Sequence, residues 1–279
     1  MKTSAHLTLI AAPDLPVEAE SLLPEHISGK TADEILAMPL LVGNRMETVG
    51  ERFTVSVVEE GGDGPAELTL TGDLTRFKRI GEGMTGGRLV VEGSTGFHAG
   101  AMMSGGELVI TKNAGDYLGA MMSGGRIVVR GNAGHFAGAA YRGFNRGMSG
   151  GLIVIHGSAG NLTGARMRRG IIAVRGACGD LAGFGMGAGT VIIGGEPGVR
   201  AGANMARGSV IMMTRPKEIM PTFRYNCAGR PGMWPLFSAL LARADCVFPE
   251  AGPETVFESY SGDFNEGGRG EILLRRSPL

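Results

Sequence analysis

Residues able to do acid–base or metal chemistry are few in this sequence, and they are scattered. Histidines stand at His6, His26, His98, His135 and His156, and cysteines at Cys178, Cys227 and Cys246, none of them in a C-x-x-C pair. That spacing gives neither the ligand clusters of zinc or iron–sulfur sites nor a disulfide framework. One polar column stands out: Asp116, His135, Asn161 and Asp180 recur at equivalent places in a repeat. On stacked turns they would lie one strand spacing, ~4.8 Å, apart. A carboxylate beside an imidazole at that distance suits general acid–base work on a glycosidic bond. It also suits a hydrogen-bonded ladder. Phe97 and Val199 interrupt the column and no second carboxylate column supports it, so the ladder is the stronger reading. No catalytic residue and no metal ligand is assigned.

A second concentration is basic. Residues 141–147 carry Tyr141, Arg142, Phe144, Asn145 and Arg146 between glycines, and the next repeat boundary adds Arg166, Arg168 and Arg169. Guanidinium forks match carboxylates, which makes this corner a candidate contact for an acidic partner loop or an anionic cofactor tail. The alternative is a solvated loop whose arginines pair with local Asp and Glu. Both readings stay open on the residues alone.

The elements that position these residues are written as a repeat. Gly87, Gly106, Gly125, Gly151, Gly170 and Gly189 each open a copy and Gly208 opens a partial one, 19 residues apart except across residues 141–147, where the step is 26. Removing those seven residues restores the period. Each copy continues with an apolar triplet (LVV, LVI, IVV, IVI, IAV, VII, VIM) bounded by further glycine columns, the pattern of a buried strand between turns. Three residues ahead of every opening glycine stands a methionine: Met84, Met103, Met122, Met148, Met167, Met186 and Met205. With no Cys or His column beside it, this file reads as an interior packing ladder and not as a metal site. A fixed period near 20 residues is the mark of a solenoid. The expected fold is therefore all-β: a right-handed, single-stranded parallel β-helix of about seven coils. A hexapeptide helix is excluded because 19 is not a multiple of six, and a calcium-binding nonapeptide helix because Asp is not repeated in every copy.

Three regions follow. Residues 1–66 are an N-terminal cap, with a strand near residues 5–12, a capping box at Thr31 and Glu34, a loop over residues 40–50 and a strand near residues 52–58. Residues 67–213 are the repeat domain. Residues 214–279 hold a short amphipathic helix around Leu236, Phe237, Leu240 and Leu241, placed either over the end of the solenoid or along its side, and a tail that is a candidate arm for a partner. Lys plus Arg equals Asp plus Glu, 27 each, which disfavours non-specific nucleic-acid or membrane-surface binding. No apolar run is long enough to span a membrane, and residues 1–12 lack the regions of a signal peptide, so a cytoplasmic location is expected.

The glycine and Met-x-x-Gly columns resemble the GXGXG right-handed β-helix. That domain is shared by the C-terminal part of the glutamate synthase large subunit and by the C subunit of formylmethanofuran dehydrogenase. The leader "LPVEAESLLPEHISGKTADEILAMPLLVGN", followed by "VGERFTVS", is similar to that of the latter. The resemblance implies a non-catalytic scaffold in a hetero-oligomer with formyltransferase, amidohydrolase-like and molybdopterin-enzyme-like subunits. Such a complex transfers formyl from formyl-tetrahydromethanopterin to a methanofuran-type cofactor and hydrolyses it to formate, in formaldehyde oxidation by methylotrophs. The methanofuran-type cofactor and zinc would then sit on partner subunits, with no cofactor in this chain. The alternatives are the C subunit of a molybdenum or tungsten formylmethanofuran dehydrogenase reducing CO2, and a glutamate synthase-like accessory domain. The Arg- and Ala-rich composition favours the bacterial, hydrolytic branch.

Overall fold

Each apolar triplet forms a strand, because β-branched side chains fit a pleated surface packed on both faces. In the computed structural model, which describes residues 2–60 and 64–276, the strands begin with Arg88–Glu92, Glu107–Ile110, Arg126–Val129 and Ser149–Ile155. Arg169–Val174, Thr190–Ile193 and Arg207–Met212 continue the series. Each pairs in parallel with its counterpart in the next repeat. A second parallel ladder links Ala114, Ala133, Ala159, Cys178 and Pro197 at one corner. The insertion causes no slip: Arg126 faces Leu152, and the Ser158 amide donates to Asn132 across 26 residues. The chain is all-β, with a mostly parallel thirteen-stranded sheet, a separate four-stranded sheet and few helices.

Both ends of the sheet are closed by the chain itself. Glu67–Thr71 and then Lys2–Leu9 add parallel strands before Arg88–Glu92, and Phe53–Glu60 forms an antiparallel edge. At the other end Arg269–Arg275 pairs in parallel with Arg207–Met212, setting Gly270 opposite Gly208. The tail expected as an arm for a partner is thus the last rung of the stack. Ile272, Leu273 and Leu274 repeat the apolar triplet and are buried against the preceding rung. Phe257–Gly262 and Arg224–Gly229 then extend the sheet antiparallel.

The helix Trp234–Arg243 takes the second of its two expected places. Trp234 and Leu241 pack on Val154, Ala173, Ile192 and Ile211, along the outer face of the sheet. The Thr31–Glu34 capping box forms, with Thr31 accepting from the Glu34 amide. Residues 40–50 are not a loop: Pro39–Val42 and Arg45–Thr48 make a hairpin, turned at Gly43 with φ +59°. The turn glycine between Leu41-Val42 and Met46 carried that signal.

The methionine file is interior throughout, every member fully buried. Each thioether methyl lies over the opening glycine of the next repeat. A Cβ on Gly106 would come within 2.6 Å of Met84 Cε, and one on Gly208 within 2.5 Å of Met186 Cε. Met205 stands in the same relation to Gly270, at 2.9 Å. Methionine and glycine are therefore two halves of one packing device, the flexible thioether filling space left by the missing side chain.

Candidate functional site

The polar column is brought together as a ladder, but its bonds run from side chain to backbone. Asp116 Oδ1 accepts from the His135 amide at 2.7 Å, His135 Nδ1 from the Asn161 amide at 2.9 Å, and Asn161 Oδ1 from the Asp180 amide at 2.9 Å. Asp180 closes the series on the Val199 amide. Each group caps the next turn of chain, so the ladder reading describes it. A parallel column went unread in the sequence although its signal was there. Ser94, Asn113, Asn132 and Ser158 recur seven residues after the opening positions, and each accepts from an amide of the next repeat. One such bond contributes about 1 kcal/mol. Asp116→Ala or Asn132→Ala should therefore lower the unfolding free energy by about that much, read as a shifted denaturation midpoint; no shift would show that the amides find water instead.

One residue beyond the polar column the backbone turns left-handed at non-glycine residues, among them His98, Tyr117 and Phe136 with φ of 66°, 61° and 63°. This places their rings in a continuous stack on the corner. His98 lies 5.2 Å from Tyr117, and Tyr117 4.7 Å from Phe136 at 5° between planes. Tyr141 folds back over this stack. Its ring is 5.3 Å from Tyr117, and its hydroxyl and His98 Nδ1 are hydrogen-bonded at 3.0 Å. Burial pushes the Tyr141 phenol up to about 12. Nearby is Glu82, whose carboxyl is raised by burial although Arg79 Nε is 3.5 Å away.

Burial, with Arg79 adding to it, holds the His98 imidazole below its ordinary 6.5. Burial and then Arg130 do the same to His156. A histidine kept neutral in the fold takes its proton more readily when unfolded. Its contribution is full above pH 6.5 and is lost as pH falls below that value. The melting temperature should drop between pH 7.5 and 5, and His98→Gln with His156→Gln should flatten the drop. Tyr141→Phe should remove about 1 kcal/mol at pH 7.5.

Of the residues singled out around the insertion, Arg166 and Arg168 meet the loop, whereas Tyr141 leaves it. Tyr141 belongs to the aromatic stack. Arg166 and Arg168 line a cleft of about 440 Å³ whose walls include Asn145, Asn204 and Glu266. Arg166 donates to the Phe144 carbonyl at 3.2 Å and to Asn145 Oδ1 at 2.7 Å, and Arg168 to the Asn145 carbonyl at 3.1 Å. A Cβ on Gly187 would strike Arg168 Nη1 at 2.1 Å, so that glycine makes room for the guanidinium. Arg142, Phe144, Arg146 and Arg169 are exposed. The loop is thus pinned at its base by Tyr141 and at its far side by two arginines, and it presents an aromatic flanked by arginines. Sequence reasoning missed His98, Tyr117 and Phe136, whose stacking follows from the corner geometry. Among the described residues no three His, Cys, Asp or Glu are grouped to hold a metal ion, and no helix is long and apolar enough to cross a membrane.

No family model matches this sequence. It is 36% identical over 95 residues to the C subunit of the tungsten-containing formylmethanofuran dehydrogenase 2 of Methanothermobacter marburgensis, a match covering 34% of this chain and 35% of that protein. The C subunit of the molybdenum-containing formylmethanofuran dehydrogenase 1 of Methanosarcina barkeri is 37% identical over 87 residues, covering 30% of this chain and 28% of that one. The chain thus spans about a third of the length of the curated relatives it matches. A solved structure matches far more of it. A chain of the formyltransferase/hydrolase complex (FhcABCD) of Methylorubrum extorquens, crystallised with methylofuran, superposes with a TM-score of 0.83 at 30% identity, over 98% of this chain and 100% of that one.

Proposed function

We propose, from the premise that this chain is a homologue of the C subunit of formylmethanofuran dehydrogenase, that it is the scaffold of a hetero-oligomeric formyltransferase/hydrolase complex. In this reading the stacked repeats form a right-handed parallel β-helix of about seven coils, a rigid body on which catalytic subunits assemble. The complex moves a formyl group from formyl-tetrahydromethanopterin to a methanofuran-type cofactor and releases formate. The transferase and zinc-dependent hydrolase chemistry belongs to the partners. The observation that carries the proposal is the end-to-end match to a chain of the M. extorquens complex. The polar columns support it too, since their side chains are spent on capping the next repeat. The insertion loop with Arg166 and Arg168 is the natural contact for a partner or for the anionic tail of the cofactor.

A second reading rests on the sequence matches, which go to subunits of tungsten and molybdenum formylmethanofuran dehydrogenases; the chain would then serve a CO2-reducing enzyme. The deciding experiment is gentle purification of the tagged chain from its host. Co-purification of a formyltransferase and an amidohydrolase, with formate released from formyl-tetrahydromethanopterin, supports the hydrolytic complex. A co-purifying metal-loaded molybdopterin protein with CO2-reducing activity supports the second reading, and a monomer refutes both.

A further inference from the structure

Beyond the insertion loop the same corner stays basic. Arg169, Ala188 and Arg207 hold equivalent places in successive repeats, their amides bonding the carbonyls of Met148, Met167 and Met186. The register then sets Arg269 beside Arg207. Arg169, Arg207 and Arg269 therefore stand on one line, which covers three strand spacings or roughly 14 Å. Arg166 and Arg168 lie next to it, and the loop above carries Arg142 and Arg146. All seven are exposed. Among the described residues none of them is ion-paired, whereas Arg52, Arg79, Arg126 and Arg215 each meet a glutamate. Glu266 is the one acid lining the adjoining cleft. In a chain of zero net charge, this is a concentrated positive strip.

Arg207 and Arg269, one strand spacing apart, stand within a Debye length of about 8 Å and repel one another, and an acidic surface laid over them removes the repulsion. A small anion engages one or two guanidiniums, whereas a line of this length matches a chain bearing several carboxylates. At its upper end Phe144 is 55% exposed on a loop fixed at both sides, so little ordering is needed on binding. Arginine and aromatic residues together are the composition of interface hot spots.

We infer that this arginine ridge docks an acidic polypeptide segment of a partner subunit, laid along the stack, with Phe144 seated in an apolar recess of that partner. The inference rests on the hetero-oligomer reading above. It is tested in the tagged full-length chain, expressed in its host and weighed by native mass spectrometry, with Arg169, Arg207 and Arg269 replaced by Glu. In a second sample a photo-reactive benzoylphenylalanine replaces Phe144. The triple variant should keep the wild-type melting temperature yet lose one partner subunit, or bind it at least 100-fold more weakly. The photo-adduct should contain an Asp- and Glu-rich peptide of that same subunit. Should the Glu variant unfold, the Gln triple replaces it and should show a shallower salt dependence of assembly. Full retention of every subunit at wild-type affinity, an adduct with nucleic acid, or an adduct with an uncharged peptide would each overturn the ridge proposal while leaving the scaffold reading standing. Purification of the wild type as a monomer would remove both.

Discussion

Gly151→Val should cost about 4 kcal/mol of stability. Two terms add. Gly151 holds φ at +89°, a region that a β-branched residue enters only with strain of about 1–3 kcal/mol. Its new Cβ would also meet the Gly125 carbonyl oxygen at 2.7 Å and Met122 Cε at 2.8 Å, an overpacking worth a further ~1–3 kcal/mol. Against a typical stability of about 5–15 kcal/mol this is a large share. Chemical denaturation gives the number. Adding Met122→Ala separates the two collisions: the thioether can be removed, but the Gly125 carbonyl is backbone and stays. The double variant should regain less than half of the loss. Wild-type stability in Gly151→Val would mean that the methionine–glycine device described above does not hold the rungs together.

Ile272→Asp should be as damaging by another route. Ile272 is 2% exposed and faces Val210 in the last rung. An unpaired carboxylate there would have to be buried or to push the strand out, at a cost of several kcal/mol. Displacing Arg269–Arg275 strips the outer neighbour from Arg207–Met212 and leaves an unpaired edge, which invites association between chains. The expected result is insoluble protein. Leu236→Asp is the matching control, since Leu236 is 72% exposed on the outer helix and the change should leave solubility unaltered and stability within about 0.5 kcal/mol. Soluble, fully stable Ile272→Asp protein would show that the last rung is dispensable.

The repeat was legible because its chemistry is local: glycine, apolar triplet and methionine recur at fixed offsets, and every strand from Arg88–Glu92 to Arg207–Met212 falls on a triplet. The last rung was not legible as a rung. Gly270 pairs with Gly208 but follows it after an excursion through a helix and two antiparallel strands, so no period connects them. The broken period makes the insertion legible, but not where its side chains go. In the structure Tyr141 reaches back to His98, 43 residues earlier, while Arg166 and Arg168 bond Asn145 and line a cleft with residues of later repeats. The way this loop folds across the stacked strands follows ring stacking at the corner, which is a property of neighbouring repeats and not of the loop.

The two polar columns have a direction. In all eight bonds the acceptor side chain belongs to the earlier repeat and the amide to the later one. A chain leaving the ribosome at about 5–20 residues per second thus delivers each set of acceptors before the amides that need them. Every finished turn is a template already waiting for its successor, so the stack can lengthen vectorially as it is made. Only the closing rung, Arg269–Arg275, must wait until the helix and the antiparallel strands before it have been made, and until then the growing edge stays open to whatever else in the cell can pair with it.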